Sequence, residues 1–244
     1  MDLGLTGRTA MVFGGSRGLG RAIAEELAKE GAHVTICARD PAVLAQTGSR
    51  IGAATVCGDL SLEGEARRML AEARPPSGGF DILVLNSGGP PAGDFDATRD
   101  EDWMSGFQSL WMSAIQAIRH ELPFMRRNGW GRILCVSSIT AREPVRSVMV
   151  SNGLRAGLHG MLNALSRECA RDGITVNAIM PGYIETRRIA EVTGGADSLV
   201  GEIPMGRLGQ PAEFAALAAF LASERASYIT GQAIACDGGA LRSI

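Results

Sequence analysis

The sequence has little of several residue types, and each shortage narrows what the protein can be. Its 244 residues include one lysine and two tyrosines, and its five cysteines form no C-x-x-C pair. Cysteines spaced in this way argue against a zinc site or a disulfide framework. A formal net charge of −2 gives no overall attraction to nucleic acid or anionic membranes. No apolar run approaches ~18 residues and no signal-peptide pattern opens the chain, so we expect a cytoplasmic protein without a membrane span.

What the chain does contain is a regular alternation of short apolar runs and longer amphipathic stretches. With 45% hydrophobic residues, it can bury the core of a single domain, residues 1–244. Runs typical of buried strands are Thr9–Phe13, Val34–Ala38, Ala54–Cys57, Ile82–Leu85, Arg132–Val136, Thr175–Ile179 and Ala233–Cys236. Helical periodicity marks Arg17–Glu30, Glu63–Ala73, Trp103–Asn128, Ser151–Asp172 and Pro211–Ala222. The alternation predicts an α/β fold, a Rossmann-type doubly wound parallel seven-stranded sheet with helices on both faces.

A glycine-rich turn lies between the first predicted strand and the first predicted helix. It is Gly14-Gly15-Ser16-Arg17-Gly18-Leu19-Gly20. Glycine lets the backbone approach a phosphate closely, and a helix N-terminus offers N–H donors at the positive end of the helix dipole. This position predicts a pyrophosphate-binding turn for a dinucleotide. A tight turn with a purely structural role is the alternative.

The end of the second predicted strand indicates which dinucleotide would bind. NAD sites usually carry a carboxylate there for the ribose hydroxyls, whereas this strand ends in Ala38 and Arg39. Arg39 and Arg17 suit a 2′-phosphate through charge-assisted hydrogen bonds. NADP(H) is therefore the predicted cofactor, and an ordinary solvated Arg39 is the alternative. Asp59, after the third strand, is a candidate partner for the adenine.

Six motifs resemble, in order and along the whole chain, those of the short-chain dehydrogenase/reductase family. They are the glycine-rich turn, Asp59-Leu60, Asn86-Ser87-Gly88, Val136-Ser137-Ser138, Val176-Asn177-Ala178-Ile179-Met180-Pro181-Gly182, and Ile229-Thr230-Gly231-Gln232 followed by Asp237-Gly238-Gly239. Within that family the chain is most similar to the branch of 3-oxoacyl-acyl-carrier-protein reductases. The resemblance implies an NADP-dependent oxidoreductase with a small-molecule substrate.

The resemblance also implies how the cofactor is held and how the chains assemble. It places Pro181, Gly182, Ile184 and Thr186 at the nicotinamide end, and it implies a homotetramer or dimer built through the two long helices and the last strand. The predicted cofactor-binding residues are Gly14, Ser16, Arg17, Gly18, Leu19, Gly20, Arg39, Asp59, Leu60, Asn86, Ser87, Gly88, Arg155, Pro181, Gly182, Ile184 and Thr186.

The reaction centre departs from the family pattern. Family members use a serine, a tyrosine as proton donor or acceptor, and a lysine whose ammonium lowers the pKa of the tyrosine. Matching Arg155-Ala156-Gly157-Leu158 to the family's Lys-Ala-Gly-Leu segment puts Arg155 at the lysine position and Ser151 at the tyrosine position. Ser138, thirteen residues before Ser151, keeps the serine, and Leu110 falls at the family's asparagine position. The predicted catalytic residues are Ser138, Ser151 and Arg155.

Three functions remain open at this point. The first is an NADP(H)-dependent oxidoreductase that acts on a carbonyl or alcohol, either a 3-oxoacyl thioester or a cyclic ketone, with Glu143, Glu185 or His159 as candidate proton sources. The second is a non-redox enzyme, such as a lyase or a relative of the halohydrin dehalogenases, which resemble this family and use arginine at the lysine position. The third is a catalytically inactive NADP(H)-binding subunit. Residues 186–208, rich in glycine and polar side chains, are predicted to form a mobile substrate lid.

Overall fold

The sheet is the element that organises the molecule. The computed structural model describes residues 1–187, 189 and 200–243. Within them, seven strands pair in parallel in the order β3-β2-β1-β4-β5-β6-β7. The strands are β1 (Thr9–Val12), β2 (His33–Ala38), β3 (Ala54–Cys57), β4 (Ile82–Leu85), β5 (Gly131–Val136), β6 (Ile174–Pro181) and β7 (Ala233–Cys236). The predicted Rossmann-type parallel sheet is therefore confirmed.

Helices connect the strands and cover the sheet. In the described residues they are α1 (Gly18–Lys29), α2 (Pro41–Ile51), α3 (Glu65–Glu72), α4 (Asp100–Phe107), α5 (Ser113–Asn128), α6 (Met149–Cys169) and α7 (Pro211–Leu221). The stretch predicted as one helix over Trp103–Asn128 is α4 and α5 joined by a π-helical turn, Gln108–Met112. Such single π turns inside helices often occur at functional sites.

The helix α2 is not among the helical stretches predicted from the sequence. Asp40 is its N-cap, because one carboxylate oxygen accepts hydrogen bonds from the backbone N–H groups of Ala42 and Val43 at 3.1 and 3.2 Å. Pro41 occupies the first turn and Gly52 ends the helix with φ 69°. An acidic N-cap before a proline is a signal for the start of a helix. Because few side chains of α2 are buried, this signal was the feature of the sequence that could have predicted the helix.

Two apolar clusters lie on opposite faces of the sheet. Successive side chains of a strand point to opposite faces, so Ala10 and Val12 of β1 join the cluster formed with α1 and α7. Met11 joins the other cluster, which is formed with α3, α5 and α6. Both faces of the sheet are therefore covered, and its carboxyl edge is left for a ligand. In an open parallel sheet this edge binds ligands where the strand order reverses, here between β1 and β4.

The predicted lid over 186–208 lies partly outside the described residues, because 188 and 190–199 do not belong to them. Near its described end, the Ile203 side chain is buried and the backbone N–H of Met205 donates to the carbonyl of Gly238 at 3.2 Å. Among the helices of the described segments, none is long and apolar enough to cross a lipid bilayer.

Candidate functional site

A cleft opens at the reversal point of the sheet. Its cavity volume is about 10 Å³, and it is lined by the ends of β1, β4 and β5, the π turn, α5 and α6. Leu110, from the π turn, is buried in its wall beside Ser113. Leu110, which the sequence comparison predicted at the family's asparagine position, is thus a packed leucine that offers no polar side-chain group to the cleft.

In the turn predicted to bind pyrophosphate, Gly14 and Gly20 are packed too closely to carry a side chain. A Cβ on Gly14, which has φ +60°, would lie 2.5 Å from the carbonyl oxygen of Asn86. A Cβ on Gly20 would overlap the carbonyl oxygen of Gly14 and lie 2.5 Å from Nδ2 of Asn86. The Asn86 amide donates to the carbonyls of Phe13 and Gly14 at 3.2 and 3.4 Å, so this side chain holds the turn in place.

The N-terminus of α1 is suited to an anion. Its N-cap, Arg17, makes no side-chain capping hydrogen bond, and its first turn contains no acidic residue. The first N–H groups of a helix have no partner within the helix and carry the positive end of its dipole. The methyl group of Thr186 lies 3.8 Å from the position of a Cβ built on Gly18, so the predicted nicotinamide-end residue Thr186 lies beside the turn.

Two arginines flank the end of β2. Arg39 is exposed, and its Nη1 lies 4.0 Å from a carboxylate oxygen of Asp59. Arg17 pairs with Asp40 at 3.2 Å, and both side chains are about half exposed. Asp59 also accepts hydrogen bonds from the backbone and hydroxyl of Ser61. The two guanidinium groups are therefore held near one end of the site by exposed ion pairs, which are weak enough to exchange for a phosphate.

Other predicted cofactor residues contribute packing and backbone. The backbone carbonyl of Ser16 accepts from Thr47 Oγ1 at 3.1 Å. Leu19 packs half-buried against the core, and Leu60 is buried in the core. Ser87 lines the cleft.

At the end of β6 the chain is pinned to the strand beside it. The N–H of Gly182 donates to the carbonyl of Cys236 at 3.0 Å, and a Cβ there would lie 2.6 Å from Cβ of Asp237. Pro181 ends β6 and pairs in register with Cys236, and Ile184 is buried. These contacts fix the predicted nicotinamide-end residues on the same sheet edge as the glycine turn.

Arg155 ties the start of α6 to the sheet edge. Its guanidinium donates to the carbonyl of Val136 at the end of β5 at 2.6 Å and to the carbonyl of Gly88 after β4 at 2.7 Å. Its Nε donates to Oγ of Ser151 at 3.1 Å. Arg155 and Ser151 are 6% and 8% exposed, so this cation is held in a largely dry setting where its hydrogen bonds are strong.

Ser138 follows β5 directly, and its side chain is half-buried. Its Oγ accepts a hydrogen bond from the backbone N–H of Thr140 at 3.2 Å and lies 3.0 Å from Oγ1 of Thr140. The structure thus brings Ser138, Ser151 and Arg155 to the carboxyl edge around β5. Thr140, which joins them through Ser138, was not singled out from the sequence, because it lies in a single 3-10 turn, Ile139–Ala141, that is too short to give a spacing signal.

The acidic candidates for a proton source are engaged elsewhere. Glu143 Oε1 accepts from the backbone N–H groups of Ser243 and Arg242 at 2.6 and 2.8 Å, and these bonds hold the pKa of the carboxyl below its usual range. Glu143 is therefore ionised at neutral pH and clamps the C-terminal segment. The carboxylate of Glu185 accepts from the side-chain amide of Gln210 at 2.8 Å.

His159 and the tyrosines do not contact Ser138 either. His159 Nε2 lies 2.6 Å from Oγ of the buried Ser137. Burial, then the nearby Arg142 and Arg155, lower the pKa of His159 to about 4, so it is neutral at pH 7. Tyr183 donates to Glu202 at 3.4 Å, and burial and that carboxylate raise the pKa of its phenol. Tyr228 is fully exposed.

Comparison with known proteins decides the family. The family model described as enoyl-(acyl carrier protein) reductase matches residues 14–240. The chain belongs to the short-chain dehydrogenase/reductase family. A relative in this family, the rhamnolipid-biosynthesis 3-oxoacyl-acyl-carrier-protein reductase of Pseudomonas aeruginosa, is 35% identical over 247 residues, covering 96% of each chain. The NADPH-dependent reductase BacG of Bacillus subtilis is 32% identical, over 97% of this chain and 99% of that one.

Solved structures of the same family superpose over the whole molecule. The L-sorbose reductase of Gluconobacter frateurii, crystallised with NADPH and L-sorbose, has a TM-score of 0.92 and 33% identity and covers 100% of both chains. The complex of RhlG from Pseudomonas aeruginosa with NADP has a TM-score of 0.91 and 33% identity over 98% of both chains. Both of these similar structures are complexes with the nucleotide, NADPH in one and NADP in the other.

Proposed function

We propose that the protein is an NADP(H)-dependent oxidoreductase that interconverts a carbonyl and an alcohol, with a 3-oxoacyl thioester or a cyclic ketone as the substrate class. Several relatives are 3-oxoacyl-acyl-carrier-protein reductases, and others are described as NADPH-dependent reductases. The substrate class is inferred from those relatives, and the cofactor is inferred from them together with the geometry of the site.

The nucleotide end of the site fits NADP(H). At Gly18 the nearest atom to an added Cβ is the Thr186 methyl group at 3.8 Å, and the open N-terminus of α1 offers N–H donors, so this part of the turn leaves room for a pyrophosphate. Arg17 and Arg39 offer two guanidinium groups for a 2′-phosphate, which each can bind through paired N–H donors. When bound, the cofactor supplies or accepts the hydride, and the side chains of this chain bind and polarise the substrate oxygen.

The observation that carries the proposal is the buried Arg155–Ser151 pair at the edge of β5. Guanidinium N–H groups can only donate, so Ser151 Oγ accepts from Arg155 and keeps its own proton available for another acceptor. Ser138, whose Oγ accepts from the N–H of Thr140, has the same property. We assign Ser151 and Arg155 to the positions of the family's tyrosine and lysine. Two hydroxyl donors and a buried cation on one edge suit an oxygen that gains negative charge during reduction.

The test is NADPH oxidation with a panel of β-keto thioesters, quinones and cyclic ketones, followed by absorbance. We expect turnover with at least one class, and a loss of about 100-fold or more in Ser138→Ala, because a preorganised donor to a developing oxyanion is worth that much. The matched control is Ser105→Ala, an exposed serine on α4. Tight NADPH binding with no turnover of any carbonyl would contradict the proposal and would favour a nucleotide-binding subunit.

The proposal includes assembly of the chain with copies of itself, as a homotetramer or dimer through α5, α6 and β7. The residues of β7, the last strand of the sheet, are all partly exposed, which leaves an edge that a second copy can cover. Light scattering of the purified chain measures this directly, and a monomer at micromolar concentration would contradict it.

A further inference from the structure

Two hydroxyl groups, those of Ser138 and Thr140, lie together just after β5. Ser138 Oγ lies 3.2 Å from the backbone nitrogen and 3.0 Å from the Oγ1 of Thr140. A backbone N–H can only donate, so one lone pair of Ser138 is occupied whatever the orientation of the two hydroxyl protons. One proton and one lone pair of Ser138 remain.

The remaining proton and lone pair of Ser138 determine how its hydroxyl binds a substrate oxygen. A carbonyl oxygen only accepts hydrogen bonds, so Ser138 turns its proton toward the substrate. The Thr140 hydroxyl, 3.0 Å from Ser138 Oγ, then donates to the last lone pair of Ser138. A chain of hydroxyls aligned in this way polarises each member, and each becomes a better donor to the next.

We propose that Thr140 and Ser138 form a proton relay that supplies the substrate oxygen in place of the absent tyrosine, an inference that rests on the proposed function. As the carbonyl carbon gains a hydride, its C=O π bond breaks, and the oxygen takes the proton of Ser138. Ser138 takes the proton of Thr140, and Thr140 is reprotonated by water. Overall, a ketone, NADPH and one proton give an alcohol and NADP⁺, and the two hydroxyls are restored.

Ser151 is less suited to this role. The partner of its Oγ is the guanidinium of Arg155, and a guanidinium does not give up protons in proteins. A Ser151 that lost its proton would therefore not recover it from Arg155. Thr140 as a residue is half-buried, and in the proposed relay water returns a proton to it. In this division, Ser151 and Arg155 bind the substrate oxygen, and Ser138 and Thr140 deliver the proton.

Ser137, the residue before Ser138, has a histidine and not a hydroxyl as its hydrogen-bond partner. Ser137 is 2% exposed, and its Oγ lies against His159. A histidine that is neutral at pH 7 has no extra proton to pass on, and the buried Ser137 has no open path to a substrate. The half-buried Ser138 is joined instead to the hydroxyl of Thr140, a half-buried residue.

The test compares Thr140→Val, which removes the hydroxyl and keeps a similar shape, with Thr140→Ser, which keeps the hydroxyl. Removal of a proton donor typically costs 10²- to 10⁴-fold, so we expect kcat of Thr140→Val to fall by about 100-fold. Thr140→Ser should stay within about threefold of the wild type. A small external acid such as imidazolium should restore part of the rate of Thr140→Val and should leave Thr140→Ser unchanged.

Three measurements separate the relay from a structural role. NADPH affinity by fluorescence and the thermal unfolding temperature should be the same in both variants, which shows an intact site without reference to turnover. The solvent isotope effect on kcat should indicate two moving protons in the wild type and in Thr140→Ser. Wild-type kcat in Thr140→Val, or equal losses in both variants, would overturn the relay alone. No turnover by the wild type would overturn the proposed function and the relay together.

Discussion

The two ends of the site are built by different means. At the nucleotide end, the fit depends on backbone and on missing side chains, because Gly14 and Gly20 leave no room for a Cβ. At the reaction end, the fit depends on a long side chain, because Arg155 reaches from α6 to a carbonyl at the end of β5 and to another after β4. Only glycine can meet the first requirement, whereas the second needs a side chain with several donors. A substitution that adds a side chain therefore tests the nucleotide end, and one that removes donors tests the reaction end.

The largest expected effect is a loss of NADPH affinity when a side chain is added to the glycine turn. In Gly20→Ala the new Cβ overlaps the Gly14 carbonyl and Asn86 Nδ2, so the turn must move. We expect NADPH affinity, measured by fluorescence titration, to fall by at least about 100-fold, which corresponds to about 3 kcal/mol. The control is Gly160→Ala on α6, where a Cβ meets nothing within 4 Å. Equal affinities in the two variants would mean that the turn is not the nucleotide site.

The next-largest expected effect is a loss of stability when the guanidinium of Arg155 is replaced at the reaction end. The guanidinium of Arg155 donates hydrogen bonds to Val136, Gly88 and Ser151 from three separate nitrogens. In Arg155→Lys a single ammonium nitrogen replaces them, so at least one of these buried acceptors loses its partner. Lost charge-assisted hydrogen bonds cost about 1.5–3 kcal/mol each, so we expect the free energy of unfolding to fall by about 3 kcal/mol in urea denaturation. The exposed Arg167→Lys on the same helix is the control. Wild-type stability in Arg155→Lys would show that the guanidinium does not hold the two strand ends together.

A smaller effect concerns the choice between the two nucleotides. Arg39→Asp places a carboxylate where a 2′-phosphate would lie, beside the existing Asp59. We expect NADPH affinity to fall by about 10- to 100-fold, because about 1.5–3 kcal/mol of charge-assisted bonding is lost, and NADH affinity to rise. Arg50→Asp, an exposed arginine on α2 that pairs with Glu25, is the control. Unchanged NADPH affinity in Arg39→Asp would exclude Arg39 from the phosphate site.

The smallest effect is a pH dependence of stability set by His159. The unfolded histidine takes up its proton near pH 6.5, but the folded one takes it up only near pH 4, chiefly because it is buried. Acid therefore favours the unfolded state, and stability is lost as the pH falls from about 6.5 toward 4. Between these pH values, the free energy of unfolding of His159→Gln should therefore fall by about 1–2 kcal/mol less than that of the wild type.

Urea denaturation at several pH values measures this slope. His33→Gln, which removes an exposed histidine at the start of β2, serves as the control for the loss of a histidine. Parallel pH profiles for the wild type and His159→Gln would contradict the assignment.

The sequence determined the sheet and the nucleotide turn. Apolar runs marked the strands within about two residues, and the glycine spacing between β1 and α1 marked the turn, because both depend on local backbone requirements. The sequence also nominated Ser138, Ser151 and Arg155. Only the tertiary structure decided what these side chains contact: Arg155 at two strand ends, Ser138 against Thr140, and Glu143 against the C-terminal segment. Contacts between distant segments depend on packing, and no periodicity or spacing records them.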